Sequence, residues 1–455
     1  MDYNAYSLLI DFAFASAFIL FGQLLRAKVK FFQRFFVPAS LIAGILGFVV
    51  GPGIFKIIPF SSKISSYSGL LIILVFVAMG IRGFNISTKG WKEDVERLGS
   101  YTCFREFSYM LQYTLPIVFG YYVLREFFPD LHPGFGMIFG AGWAGGPGTS
   151  AAIGSTFAKY GFADAVDLGM TSATLGILTA VFGGIILIKW ATKKGITRYI
   201  ADFESLPQEL RTGLVPEEKR EEMGKQTISL ISLDSLAWHL ALILLPAGIA
   251  RLVSVYCSDT LHLEVPSFSI AFMLALIFSF CLRGAGAKKY IDNKIISRIS
   301  GCATDYLIFF GMTSIKLAIV IKYAVPLGLL MLFGLVLVVG SFLYLAPRMN
   351  KKDWFERTIF CFGYLTGVYA NSFMLTRIVD PDMKSKTLED IALLDSGFTV
   401  TDILVISLGP ILLSSGNIWS FLTPAFAYLI FFAVLAKVMK WWWPNLPLNR
   451  KDMIL

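Results

Sequence analysis

Residues Ala144 to Ala152 read Ala-Gly-Gly-Pro-Gly-Thr-Ser-Ala-Ala, inside an otherwise apolar stretch from Gly134 to Ile188. Three glycines (Gly145, Gly146, Gly148) and Pro147 within four residues cannot sustain a regular helix. In lipid, unpaired backbone groups are tolerated only where protein or a water-filled cavity receives them. The stretch therefore predicts a broken membrane helix with its polar backbone turned inward. Thr149 and Ser150 are suited to N-cap the short helix that follows. Amide ends at such a break suit an anion, and loose carbonyls suit a cation. A plain Gly-rich helix crossing is the plainer reading, but packing motifs use spaced small residues without Pro.

The chain has 455 residues, 56% of them hydrophobic, and a mean hydropathy of +0.68. That composition excludes an ordinary soluble core and predicts a polytopic membrane protein. Apolar spans fall near 5–25, 36–55, 67–81, 106–124, 134–188, 234–256, 266–282, 301–315, 324–346, 358–413 and 418–440, two of these holding more than one pass. Residues 5–25 have no basic region ahead of them and read as a first span, not a signal peptide. The net charge of +9 comes from residues in short loops, unlike a nucleic-acid patch. With the N-terminus outside, 30 of the 40 Lys and Arg fall in inner loops and 6 in outer ones. This split predicts a cell-membrane protein with its C-terminus in the cytoplasm. Trp441-Trp442-Trp443 then reads as an aromatic anchor at the inner face. The five Cys stand singly, without metal or disulfide spacing.

The two halves echo each other. Val37-Pro38 matches Val265-Pro266, Phe76-x-x-Met79 matches Phe309-x-x-Met312, Gly142-Trp143-x-x-Gly146 matches Gly363-Tyr364-x-x-Gly367, and Asp167-Leu168-Gly169 matches Asp395-Ser396-Gly397. All offsets lie between 221 and 233. Five crossings per half, an odd number, would set the second half upside down. The predicted fold is all-α and polytopic, with two inverted five-span repeats containing discontinuous helices, and a C-terminal span. Its parts are an N-terminal repeat (1–192), a polar cytoplasmic linker (193–233), an inverted repeat (234–416) and a final span with tail (417–455). The repeat places a second break at Gly367 to Ser372, where Asn371 and Ser372 take the roles of Thr149 and Ser150. Each break precedes a short helix, one ending at Gly161 and one before Asp380-Pro381. New helices then start at Asp164 and at the capping-box pattern Thr387-x-x-Asp390.

Charge inside an apolar segment is expensive and usually functional, which singles out Arg377 and Asp402. Arg377, placed about five residues into the second short helix, opposes the local dipole and needs a partner. Asp380, Asp402 or a substrate carboxylate could supply it. Asp402 and Asp395, with the hydroxyls of Thr171, Thr174 and Thr399, are candidate oxygen ligands for a hard cation. Capping explains Asp167 and competes for Asp395, and interhelical hydrogen bonding competes for the threonines. Asp11 and Asp305 lie nearer span ends and read as solvated or capping. His132, His239 and His262 read as loop-edge residues without a cluster.

Trp143 to Ala152, followed by Thr171-Ser172-Ala173-Thr174-Leu175-Gly176, resembles the signature of the sodium/glutamate symporter family, a likeness running over roughly residues 5 to 415. One departure is Pro147, where the family carries His. The second break is also poorer in Thr and Pro than the family's. The resemblance implies symport of sodium with glutamate, no cofactor beyond the coupling ion, and a homodimer in the bilayer. The residues alone imply a carrier with an anion-friendly midplane site, for which Gly145, Gly146, Gly148, Thr149, Ser150, Gly367, Asn371, Ser372 and Arg377 are the substrate candidates. A proton- or sodium-coupled carrier of citrate or a dicarboxylate is the alternative. An intramembrane enzyme would need paired carboxylates on facing helices, whereas Asp395 and Asp402 share one helix.

Overall fold

The computed structural model describes residues 4–34, 37–82, 91–199, 212–261, 267–350, 353–380, 384–385 and 387–442. In chain order the main helices are α1 (Ala5–Lys28), α2 (Ala39–Val50), α3 (Ser66–Arg82), α4 (Trp91–Phe119), α5 (Met137–Gly142), α6 (Gly146–Lys159) and α7 (Ala165–Lys193). There follow α8 (Ser235–Leu261), α9 (Ser267–Gly284), α10 (Asn293–Thr313), α11 (Ala324–Met349), α12 (Trp354–Thr366), α13 (Tyr369–Val379), α14 (Thr387–Ser414) and α15 (Trp419–Val438). The described residues form an all-α fold without strands. Seven helices among them are long and apolar enough to cross a membrane by length and composition, namely α1, α3, α7, α8, α9, α11 and α15.

Two compact units divide the chain, and they cut across its halves. The first holds residues 1–24, 38–85 and 215–317; the second holds 25–37, 86–214 and 318–455. The first unit thus takes α1 to α3 and α8 to α10, three main helices from each half. The second takes α4 to α7 and α11 to α14, with α15 added. Both breaks lie in the second unit. The boundary near residue 214 falls within the polar connection, of which 200–211 lies outside the described residues.

The first unit packs through small residues, as helices in lipid do when backbones must approach closely. A side chain at Gly80 would lie 2.8 Å from the carbonyl oxygen of Phe272 and 2.7 Å from the Ala275 methyl. Around this crossing Val77, Ala78, Ile81, Ile243, Ala250 and Ala271 form a buried core. Two polar residues differ from expectation here. Asp11 is fully buried and accepts from the Ser61 backbone N–H at 3.0 Å, from the Tyr67 hydroxyl at 2.7 Å and from the Ser61 hydroxyl. It pins the loop before α3 to α1, where we expected a solvated or capping acid. His239 is also fully buried, inside α8, with the Asp292 backbone N–H donating to its Nε2 at 2.8 Å.

In the second unit α4 begins at Trp91, well ahead of the expected span at 106. Its charged first turns are compatible with helix but not with hydrocarbon, so hydropathy marks only the later part. Pro116 lies inside α4 and a π-helical turn, Gly120–Leu124, follows. A proline leaves a carbonyl without its intrahelical donor, and a π-turn is a common local adjustment. Gly136 approaches that segment so closely that a side chain there would strike the Pro116 carbonyl. Trp441 is 8% exposed and packs against Gly99 of α4, so it is buried instead of anchoring at a lipid surface.

Candidate functional site

The first break spans Trp143 to Gly145, between α5 and α6. The second is Gly367 and Val368, between α12 and α13. Both are narrower than the sequence implied. Pro147 falls in the first turn of α6, where a missing N–H costs nothing because that donor has no intrahelical partner. Gly146 takes φ +70°, a left-handed conformation natural to glycine. A Cβ on Gly146 would lie 2.9 Å from the carbonyl oxygen of Gly367 and 3.5 Å from the Val368 side chain. The two breaks therefore touch, glycine to glycine, at the positions paired by Gly142-x-x-x-Gly146 and Gly363-x-x-x-Gly367.

This contact brings the N-terminal ends of α6 and α13 together, since Val368 is the residue preceding α13. Two helix starts then lie side by side, and free amides at such ends favour an anion. The carbonyl ends of α5 and α12 lie there too: a side chain at Gly176 of α7 would stand 2.5 Å from the Thr366 carbonyl oxygen and 3.1 Å from the Trp143 ring. The 14 residues of α6 and 11 of α13 correspond to rises of about 21 and 16 Å, each a good half of a ~30 Å hydrocarbon core. The end of α6 is followed by Gly161 at φ +93°, as expected.

Thr149 and Ser150 do not cap α6. They lie within it, the residue preceding α6 is Gly145, and no side-chain cap bond forms there. Asn371 and Ser372 likewise lie inside α13, and neither supplies a cap. Gly148 sits in the first turn of α6. All four polar side chains are buried, and Ser150 Oγ, Asn371 Nδ2 and Ser372 Oγ have no hydrogen-bond partner within the protein. Buried polar atoms are normally satisfied, and these three lie in the two short helices beside the breaks.

The expected cation ligands are differently employed. Thr171 donates its hydroxyl to the Asp167 carbonyl at 2.8 Å and Thr174 to the Met170 carbonyl at 2.9 Å, each within α7. Their oxygens keep lone pairs for accepting. Asp395 and Thr399 lie on α14, with side chains outside the described residues. Arg377 is also on a described helix with its side chain outside the description. Its backbone lies in the last turn of α13, not near the start. Asp380 accepts backbone N–H bonds from Lys384 at 2.9 Å and Ser385 at 2.7 Å. The Asp390 carboxylate bridges Arg97 and Arg357.

The main site feature absent from the sequence reading is Arg105. It lies mid-way along α4 and its side chain is 0% exposed. Nη2 donates to both Asp402 oxygens at 2.9 Å, Nη1 donates to Glu106 Oε1 at 2.9 Å, and Nε donates to the Tyr364 hydroxyl. The guanidinium also sits 4.5 Å from the Tyr109 ring centroid and 4.3 Å from that of Phe398. Tyr364 stacks on Tyr369 across the second break, centroids 4.8 Å apart. Two α4 turns beyond Arg105, Gln112 Nε2 donates to the Leu365 carbonyl at 2.9 Å. Beyond Glu106 the network continues through the Tyr428 hydroxyl, at 2.6 Å, to Thr401 at 2.7 Å. The spacing Arg105, Tyr109, Gln112 was the available signal: polar residues at i, i+4 and i+7 mark one helix face.

A sequence profile of the sodium/glutamate symporter family matches residues 4–368. The chain belongs to the sodium/glutamate symporter family. The match ends at the second break, so Asn371, Ser372, Arg377, Asp395, Thr399 and Asp402 lie beyond it. Among curated relatives, the sodium/glutamate symporters of Escherichia coli (strain K12) and Shigella flexneri are each 22% identical over 218 residues, 46% of this chain and 50% of the relative. The chain thus spans about half the length of the relatives it matches. No solved structure matches it at a significant level. Family membership and the apolar helices together make this a multi-pass membrane protein of a transporter family.

Proposed function

We propose that this family member is a secondary active transporter, carrying a small anionic amino acid, glutamate first, in symport with sodium by alternating access. The observation that carries the reading is the contact of Gly146 with the Gly367 carbonyl, which joins two half-helix starts at one place. The names of the family and of its relatives supply sodium and glutamate. In this reading the amides of α6 and α13 take a substrate carboxylate, and Ser150 and Asn371 add donors. The carbonyls of Thr366 and Gly367 and the hydroxyl of Ser372 offer oxygen to sodium. The inverted five-span repeat, the N-out and C-in orientation, the homodimer and the lack of enzymatic chemistry belong to the same proposal. The second unit, which carries both breaks, would be the moving part.

Uptake of labelled glutamate into proteoliposomes tests it. Accumulation driven by an inward sodium gradient is the expected result. Uptake driven equally by a proton gradient alone, or of citrate in preference to glutamate, would move the assignment to the other carboxylate carriers.

A further inference from the structure

Arg105 and Asp402 bear on how ion and substrate binding are linked. The guanidinium is wholly buried, and its two terminal nitrogens are taken by Glu106 and Asp402. Its Nε is bound to Tyr364, whose ring leans on Tyr369 across the second break. Arg105 is therefore the described cation set directly against the residues that flank this break. As it stands, a substrate carboxylate would have to compete with Asp402 for Nη2. The two acidic partners are not equivalent. The Glu106 side chain is 3% exposed and is also held by Tyr428, whereas 31% of the Asp402 side chain is accessible. Of the two, Asp402 is the more accessible partner, and drawing it away would free Nη2.

We infer that Arg105 and Asp402 form the coupling switch of the carrier: a sodium ion that engages the Asp402 carboxylate releases the Arg105 guanidinium, which then takes a carboxylate of the anionic substrate beside the second break. The inference rests on the reading of this chain as a sodium-coupled carrier of an anionic amino acid. A guanidinium suits the role because it stays charged and because Nη2 can change partners while Nη1 and Nε keep Glu106 and Tyr364. The two states differ in which anion holds one donor, so sodium and substrate must strengthen each other's binding, as linkage requires. With sodium absent, Asp402 shields Arg105 and the anion is refused.

The test is equilibrium binding of labelled glutamate to the purified full-length protein, at one pH, in sodium chloride and in choline chloride. Wild type should bind at least about tenfold more tightly in sodium, within the usual range of coupling factors. Asp402→Asn removes the competing charge, so its affinity in choline should rise and the sodium-to-choline ratio should fall to within about threefold of unity. Arg105→Lys keeps the positive charge but loses the three-nitrogen plane that holds Glu106 and Tyr364 while Nη2 changes partners. It should bind sodium as wild type does, yet hold glutamate about tenfold more weakly or worse at saturating sodium. A merely structural pair would lower protein yield or thermal stability without changing the ratio. An unchanged ratio in Asp402→Asn, or unchanged glutamate affinity in Arg105→Lys, overturns the switch while leaving the carrier reading intact. A wild type that binds glutamate equally with and without sodium overturns both.

Discussion

Gly146 places its missing side chain 2.9 Å from the carbonyl oxygen of Gly367, at a φ of +70° that disfavours other residues. Two separate constraints act on one position. The left-handed backbone would strain any L side chain, and the space that side chain would fill is occupied by the other break. Gly367 is confined as well, because its own Cβ would stand 2.7 Å from Asn371 Nδ2.

Gly146→Ala should therefore reduce sodium-driven glutamate uptake by about tenfold or more, with strain of about 1–3 kcal/mol at the break. Gly161→Ala is the control. It shares a positive φ, +93°, but has open space where the methyl would go. The same measurement on both separates backbone strain from the meeting of the breaks. Equal loss in the two variants would show that the contact itself is immaterial.

Ser150→Ala and Ser372→Ala remove hydroxyls that hold no partner within the protein. No internal bond is broken, so thermal stability should stay within about 0.5 kcal/mol of wild type or rise slightly. Glutamate or sodium affinity should nonetheless fall about fivefold to tenfold, the size of one lost hydrogen bond. Isothermal titration on the two variants reads this directly. Unaltered affinities would remove both hydroxyls from the site.

Asp292 lies outside the apolar spans, at the start of α10. Burial would raise its carboxyl, but backbone N–H donors from Lys225, Lys294 and Ile295 and the neighbouring His239 outweigh that and hold it below the usual carboxylate range. A carboxyl lowered by folding stabilises above its unfolded pKa of ~4 and loses that contribution as pH falls through the folded value. Asp292→Ala should cost about 1 kcal/mol near neutral pH, as other lost caps do. The gap between variant and wild type in thermal unfolding should narrow progressively below about pH 4. A gap that stays constant down to pH 2 would contradict the assignment.

Orientation is open to cysteine labelling. Lys56, Glu218 and Asp259 are all exposed, so single cysteines there should leave the packing undisturbed. Impermeant maleimide applied from outside should modify the Lys56 and Asp259 positions and spare Glu218, in keeping with the distribution of Lys and Arg. Reaction at Glu218 would reverse the proposed topology.

Much of the scaffold was legible in the chain. The Gly-Gly-Pro-Gly cluster located the first break and the internal repeat the second, each to within a few residues, and the first short helix ends just before Gly161 as its sequence indicates. The caps were not. Thr149, Ser150, Asn371 and Ser372 are good capping residues by type, but capping depends on which residue stops being helical, and in α6 a proline tolerated in the first turn moved that point upstream. Arg377 stands out by hydropathy, yet the start of α13 at Tyr369 sets its backbone in the last turn.

What the sequence alone determined was the set of possibilities open to each segment. Apolar length demands a membrane, and a membrane allows a backbone break only where other groups receive it. Gly-Gly-Pro-Gly then states where a break can occur. Those constraints are local, because they follow from the covalent geometry of a few consecutive residues. Which groups meet was decided by tertiary structure. Gly146 and Gly367 lie 221 residues apart, and Arg105 and Asp402 lie 297 apart. A charge at a span edge looks the same in sequence whether water or a carboxylate on a distant helix satisfies it. Only the packing of α4 against α12 and α14 distinguishes the two, since the cost of burying a guanidinium is met or unmet by neighbours that no local pattern encodes.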